Sequence, residues 1–157
     1  MTPTSESGRP AGTGALPGWR SLALVALGGT VGTALREAVA LTVPPLAGVP
    51  VATAGINVSG AFLLGLLLEV LTCSRDGDAR SADLGLLLGT GLLGGFTTYS
   101  ALAVDANLLL AAGQPGLSVI YAVGTLALGA LAAFLGILAG AAARHRRSRN
   151  VTAGSQR

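Results

Sequence analysis

Apolar side chains fill four long blocks of the chain, at about residues 19–42, 50–72, 83–112 and 115–143, and polar residues are largely confined to the intervals and the ends. A helix rises about 1.5 Å per residue, so about 20 residues cross a hydrocarbon core of roughly 30 Å. Each block is long enough to span a bilayer. The pattern predicts an all-α membrane protein with four transmembrane helices. The connections are too short for a separate soluble domain. The expected organisation is a disordered N-terminal tail over 1–18, a four-helix transmembrane domain over 19–144 and a basic C-terminal tail over 145–157. The first block runs longer than the hydrophobic region of a signal peptide and has no clear cleavage site, so it reads as a retained span.

The third block is interrupted. Gly89-Thr90-Gly91-Leu92-Leu93-Gly94-Gly95-Phe96-Thr97-Thr98-Tyr99-Ser100 joins helix-weakening glycines to consecutive hydroxyl side chains. The expectation is a broken third helix with the break at Gly94-Gly95. In hydrocarbon a freed backbone group needs a partner, so such a break is tolerated only where it is buried in protein or lines a hydrated path. A pore or binding site follows. Exposed carbonyls there suit a cation, and nearby amides suit an anion. The bland reading of Thr97, Thr98 and Ser100 is a set of hydroxyls bonded back to carbonyls one turn earlier.

Composition sharpens the class. Charged residues make up 11% of the chain, well below the roughly 25% of soluble domains, and mean hydropathy is +0.67. All ten basic residues are arginine. Arg144, Arg146, Arg147 and Arg149 follow the fourth span, where each gains about 1 kcal/mol from an anionic leaflet. This basicity suits lipid headgroups and not nucleic acid. Cys73 is alone, which excludes an internal disulfide and a cysteine metal cluster. His145 is the one histidine, and no nucleophile, base and orienting acid fall together, so no enzyme is expected.

Four spans place both termini and the 73–82 loop on one side, with Arg9, Arg20, Arg75, Arg80 and the basic tail. The opposite loops, about 43–50 and 112–117, carry no arginine or lysine, and only Arg36 argues the other way. The positive-inside rule therefore puts both termini in the cytoplasm. Small residues recur four apart at Gly28/Gly32, Gly55/Ser59, Gly85/Gly89, Gly91/Gly95 and Gly136/Gly140, a spacing that lets membrane helices approach closely. With 24 glycines in the chain, some of these pairs arise by chance. Four short helices bury little polar surface of their own, so an oligomer is expected.

Polar residues inside the spans are candidates for function. Asn57 lies mid-span in the second block with Thr53 one turn before it, either as an interhelical hydrogen bond or as a pore lining. An amide with two N–H donors and a hydroxyl can together solvate a small anion. Tyr121 and Thr125 stand one turn apart in the fourth block, with Tyr121 read as an interfacial anchor or a pore residue. Arg36 is expected to snorkel or to pair with Glu37 or another helix, the alternative being a role in attracting an anion. Glu69 is expected to snorkel. Asp105, less than two turns past the break, needs a partner at that depth.

Three motifs in order carry a family resemblance. Gly28 through Arg36 resembles the GGxxGAxxR stretch of the Fluc/CrcB fluoride channel family, Thr53 through Gly60 resembles its TxxxNxxG stretch, and Gly94 through Leu102 resembles its GGxTTFSTF signature. The resemblance covers about residues 20–143. It implies an antiparallel, dual-topology-type dimer in the bacterial cell membrane, with two narrow fluoride pathways along the subunit interface and a structural sodium ion at the centre. It also implies passive export of cytoplasmic fluoride. Carried over by motif, Asn57, Thr53, Ser100, Tyr121 and Thr125 belong to the fluoride pathway, and the carbonyls of Gly94 and Thr97 hold sodium. Arg36 matches the motif arginine, and Asp105 stands where many members have glutamate.

The chain departs from the family at the two pathway phenylalanines, whose positive ring edges face fluoride. Tyr99 takes the first position and keeps a ring edge. Leu102 takes the second and has none. Either a homodimer conducts through a modified pathway or the chain is half of a heterodimer whose partner supplies the aromatics. The one-sided arginines favour a paralogous partner of opposite orientation, because a homodimer requires each chain to insert both ways. A non-conducting structural or regulatory subunit is an alternative. A small multidrug-type transporter is disfavoured, since Glu37 lies near the end of the first span instead of at its centre.

Overall fold

The computed structural model describes residues 18–72 and 79–154. Helix α1 is Trp19–Thr42 and α2 is Val51–Thr72. The third span is composite: a short helix α3 (Ala79–Leu84), a π-helical stretch (Gly85–Leu93), a single turn α4 (Gly94–Phe96) and, past a break, α5 (Tyr99–Ala111). The last helix, α6, runs 40 residues from Pro115 to Gly154. Four spans are long and apolar enough to cross a membrane, and no strand is formed among the described residues. The ends follow local chemistry. After α1 the chain turns extended at Val43 ahead of Pro44 and Pro45, which cannot continue a helix. Gly113 takes a positive φ of 76° past α5, and Pro115 opens α6 at the position where its missing N–H costs nothing.

The spans pack as first with third and second with fourth. In each case glycine brings backbone against backbone. A methyl on Gly28 would collide with the Leu87 carbonyl oxygen, and one on Gly32 with the Leu92 carbonyl oxygen. Across the same seam Gly91 and Gly95 rest on the backbone of Val25, Gly28 and Gly29. On the other seam Gly136 abuts the Phe62 carbonyl oxygen, Gly65 abuts that of Ala133, and Gly140 meets the Glu69 side chain. Helix association in lipid depends on such close packing, because lipid tails supply no hydrophobic drive between helices. Gly85 and Gly89 make only ordinary contact with Leu71 and Leu67. Gly55 has open space around it, and the Ser59 hydroxyl bonds back to the Gly55 carbonyl oxygen at 2.7 Å, so that pair makes no helix contact within the chain.

The break is not where the glycines suggested. Gly94 is helical, with φ −63° and ψ −37°, and the chain stays helical through Phe96. Thr97 and Thr98 are the extended residues, with φ/ψ of −76°/153° and −149°/118°. Gly95 is needed for close approach to α1: a Cβ there would stand 2.5 Å from the Gly29 carbonyl oxygen. The basic segment after residue 144, expected as a tail, continues α6 as helix to Gly154. The N-terminal tail over 1–17 lies outside the described residues. Only 11–22% of the most apolar stretch of each span is buried inside the chain, so most side chains meet lipid or another subunit.

Candidate functional site

Opening the third helix at Thr97-Thr98 frees backbone groups, and Asn57 of α2 takes two of them. Thr98 N–H donates to Asn57 Oδ1 at 2.7 Å, and Asn57 Nδ2 donates to the Thr98 carbonyl at 2.9 Å. The side-chain amide pairs with the peptide as a second peptide would. Thr98 also caps α5, its Oγ1 accepting from Ala101 N–H at 3.2 Å and lying 3.2 Å from Ser100 Oγ. Thr97 behaves as a back-bonding threonine, with Oγ1 donating to the Leu93 carbonyl at 3.0 Å.

These bonds have a consequence for two carbonyls. A continuous helix would give Thr98 N–H to Gly94 O and Ala101 N–H to Thr97 O. Both donors are diverted, the first to Asn57 and the second to the Thr98 hydroxyl. Gly94 and Thr97 are thereby left with carbonyl oxygens that lack their helical partner, the situation of a helix C-terminus.

On the flank of the break lies an open groove of about 350 Å³. Asn57, Thr97, Thr98, Tyr99, Leu102 and Thr125 line it, with Ala61, Leu64, Leu126, Gly129 and Ala130 as apolar walls. The structure thus brings five predicted residues, Asn57, Thr97, Tyr99, Leu102 and Thr125, to one surface. Leu102 is only 4% exposed and packs with Leu109 and Tyr121, whereas Tyr99 is 76% exposed and projects away from the chain. The Thr125 hydroxyl bonds back to the Tyr121 carbonyl at 2.7 Å.

A second polar cluster sits toward the ends of the spans opposite the termini. The Tyr121 hydroxyl is 3.2 Å from Asp105 Oδ2 and 3.2 Å from the Pro50 carbonyl, and Thr53 lies beside it. Asp105 therefore has the partner its depth demands. Tyr121 is buried inside the bundle and is no interfacial anchor. Its single proton serves one of two acceptors at a time. Ser100 and Gly94 are exposed outside the groove. Arg36 pairs with neither Glu37 nor any other carboxylate among the described residues, and its Nε is buried without a partner. Glu69 does not snorkel freely but bridges to Arg144 at 2.5 Å. Sequence reasoning singled out Thr98 as a hydroxyl at the break but missed its backbone bonds to Asn57, and it missed the Pro50 carbonyl. The signal for Thr98 was present in the hydroxyl pair, whereas a loop carbonyl has no signature.

Four membrane spans, a helix interrupted in the apolar zone, and a largely apolar groove at its flank into which Asn57, Thr97, Thr98 and Thr125 bring their polar groups are the build of a multi-pass membrane protein of the channel and transporter class. Residues 23–137 match the family described as CrcB-like protein, Camphor Resistance (CrcB). The chain belongs to the CrcB family. It is 48% identical over 128 residues to the Fluoride-specific ion channel FluC 2 of Leifsonia xyli subsp. xyli, a match covering 82% of this chain and 88% of the relative. The Fluoride-specific ion channel FluC of Thermus thermophilus is 44% identical over 122 residues, covering 76% and 92%. The Fluoride-specific ion channel FluC 1 of Cutibacterium acnes is 44% identical over 117 residues, covering 74% and 82%.

Proposed function

We propose that the chain is a subunit of a fluoride-selective channel that lets fluoride leave the cytoplasm down its gradient and so lowers its toxicity. The observation that carries this reading is the groove beside the break, where the Asn57 amide and the Thr97, Thr98 and Thr125 side chains converge on a surface open to the outside of the chain. Half a pathway of this kind is completed by a second subunit. Asn57 uses one Nδ2 hydrogen on Thr98, and its second N–H serves the anion. Fluoride is small and strongly hydrated, so close-range donors must replace its water. The names of the relatives support the choice of anion.

The partner-less carbonyls of Gly94 and Thr97 fit a sodium ion. They are hard oxygen donors, and no cluster of three acidic, histidine or cysteine side chains stands among the described residues to hold a metal instead. Two carbonyls per chain leave the ion to be shared with a second subunit at the dimer centre. Bound there, it would fix the two breaks against each other.

The second subunit is an oppositely oriented paralogue in the cell membrane, and this chain has both termini in the cytoplasm. The one-sided arginines support that orientation, and the buried Leu102 leaves an aromatic edge for the partner to supply. Fluoride efflux from liposomes, read with a fluoride electrode against a chloride control, tests both parts. The heterodimer predicts silence from this chain alone and efflux on co-reconstitution with the paralogue. Rapid efflux from the chain alone keeps the channel and removes the heterodimer. Silence in both arms, unrelieved by Leu102→Phe, selects a non-conducting structural subunit.

A further inference from the structure

The connection between α1 and α2 is unlike an aqueous loop. Residues Val43-Pro44-Pro45-Leu46-Ala47-Gly48-Val49-Pro50 contain no polar side chain, and Leu41 precedes them in the last turn of α1. Leu46 is 70% exposed and Leu41 79% exposed. The polar side chain between them, Thr42, spends its hydroxyl on its own helix, 2.9 Å from the Ala38 carbonyl.

The N–H groups of this segment are nearly all satisfied or absent. Pro44, Pro45 and Pro50 have no N–H. Val43 N–H returns to the Val39 carbonyl at 3.0 Å, and Leu46 and Val49 exchange both of their bonds at 3.0 and 2.9 Å. Ala47 and Gly48, with φ of 51° and 81°, make the two-residue turn between them. Val51 N–H is taken by the Val49 carbonyl at 2.9 Å, and the Pro50 carbonyl accepts from Tyr121. Ala47 and Gly48 at the tip are the residues whose N–H groups stand outside these bonds. Backbone can leave water only when its donors and its acceptors are both matched: proline and the turn take care of the donors, while the carbonyls of Pro44, Pro45, Ala47 and Gly48 take none of these bonds and hold the backbone at the hydrated headgroup level, from which the Leu41 and Leu46 side chains reach down. Eight residues joining two spans also hold the segment at the bilayer surface, continuous with the exposed apolar side of α1.

We propose that residues 41–50 seat in the bilayer, with Leu41 and Leu46 in contact with lipid acyl chains below the headgroups and the Ala47-Gly48 tip at the headgroup level. The occupant of this apolar surface is lipid and not a second protein chain. The proposal is independent of the conducted ion. The other connection at this end, Ala112-Gly113-Gln114, carries a polar side chain and serves as the aqueous reference.

The chain has one tryptophan, so Trp19→Phe/Leu46→Trp and Trp19→Phe/Gln114→Trp each hold a single reporter. Both full-length variants are reconstituted in vesicles of phosphatidylcholine with bromine near the headgroup end of the acyl chain, and acrylamide is added as the aqueous quencher. The expected result is a blue-shifted emission at position 46, quenched several-fold more by brominated than by plain lipid and several-fold less by acrylamide than at position 114. Acrylamide quenching equal at the two positions with no effect of bromine would place the segment in water and overturn the proposal. Shielding from both quenchers would mean a protein partner covers it and overturns it equally. Should the tryptophan variant fail to reconstitute, a nitroxide on Leu46→Cys in a Cys73→Ser background reads the same contrast through oxygen against a water-soluble nickel chelate.

Discussion

Asn57 substitutes for the helical bonds that the third span gives up at Thr98, and that role is separable from any contact with an anion. Asn57→Ala leaves the Thr98 N–H and carbonyl without partners, at about 1–3 kcal/mol for each group. The expected outcome is a clear loss of thermal stability in detergent even without fluoride, together with loss of efflux. A purely anion-contacting asparagine would lose efflux with unchanged melting. Tyr121→Phe keeps the ring but strips the Asp105 carboxylate of its hydroxyl partner, so a loss of about 1–3 kcal/mol is expected, measured in the same way. At this scale the sequence is a good guide to which residues need partners. Asn57 and Asp105 are conspicuous because polar groups in apolar spans must be satisfied. It is a poor guide to what the partners are, since one is the backbone of Thr98 and the other is Tyr121, whose place in the fourth span suits an interfacial anchor as well as a pore lining.

Among the helices, the glycines divide into those that hold seams and those that face outward. Gly32→Ala and Gly136→Ala drive a methyl into opposing carbonyl oxygens, and each is expected to cost about 1–3 kcal/mol as overpacking. Gly124 has open space around it, so Gly124→Ala should be neutral or gain up to about 1 kcal/mol from helix propensity. Melting of the purified chain checks all three, and a Gly124→Ala variant that loses stability only as a dimer would mark that face as a subunit contact. The glycine spacing correctly picked out Gly28/Gly32, Gly91/Gly95 and Gly136/Gly140, while Gly55/Ser59 has the same spacing and no neighbour. Spacing cannot report what lies opposite. The displacement of the break from Gly94-Gly95 to Thr97-Thr98 has the same origin. Glycine both weakens a helix and permits close approach, and here the α1 seam uses the second property. The π-helical winding over Gly85–Leu93 left no trace in the pattern, because its apolar residues suit either winding.

For the molecule as a whole, the first two spans were legible to within a residue and the third and fourth to within a few, since hydrocarbon imposes length and apolarity directly. Their pairing was not, because it depends on contacts that hydropathy does not encode. Two ion pairs, Arg20 with Asp83 at 2.7 Å and Arg144 with Glu69 at 2.5 Å, tie first to third and second to fourth span at the end near the termini. Each is partly exposed, so Glu69→Gln should change stability by no more than about 1 kcal/mol. Insertion in one orientation predicts that a cysteine at Gln114, in a Cys73→Ser background, is labelled in intact cells by a membrane-impermeant maleimide in essentially every copy. Labelling of half the copies would reveal dual insertion and remove the need for a paralogue.

The alternation of first with third and second with fourth also sets the order of events at the ribosome. When the first two spans have been delivered to the membrane they share little contact with each other, and the narrow grooves at Gly28, Gly32 and Gly65 have only lipid to fill them. Neither hairpin is a unit that can mature early. The nascent chain remains vulnerable to quality-control proteolysis until its last span arrives, and fragments ending after Thr72 should be cleared much faster than the full-length protein.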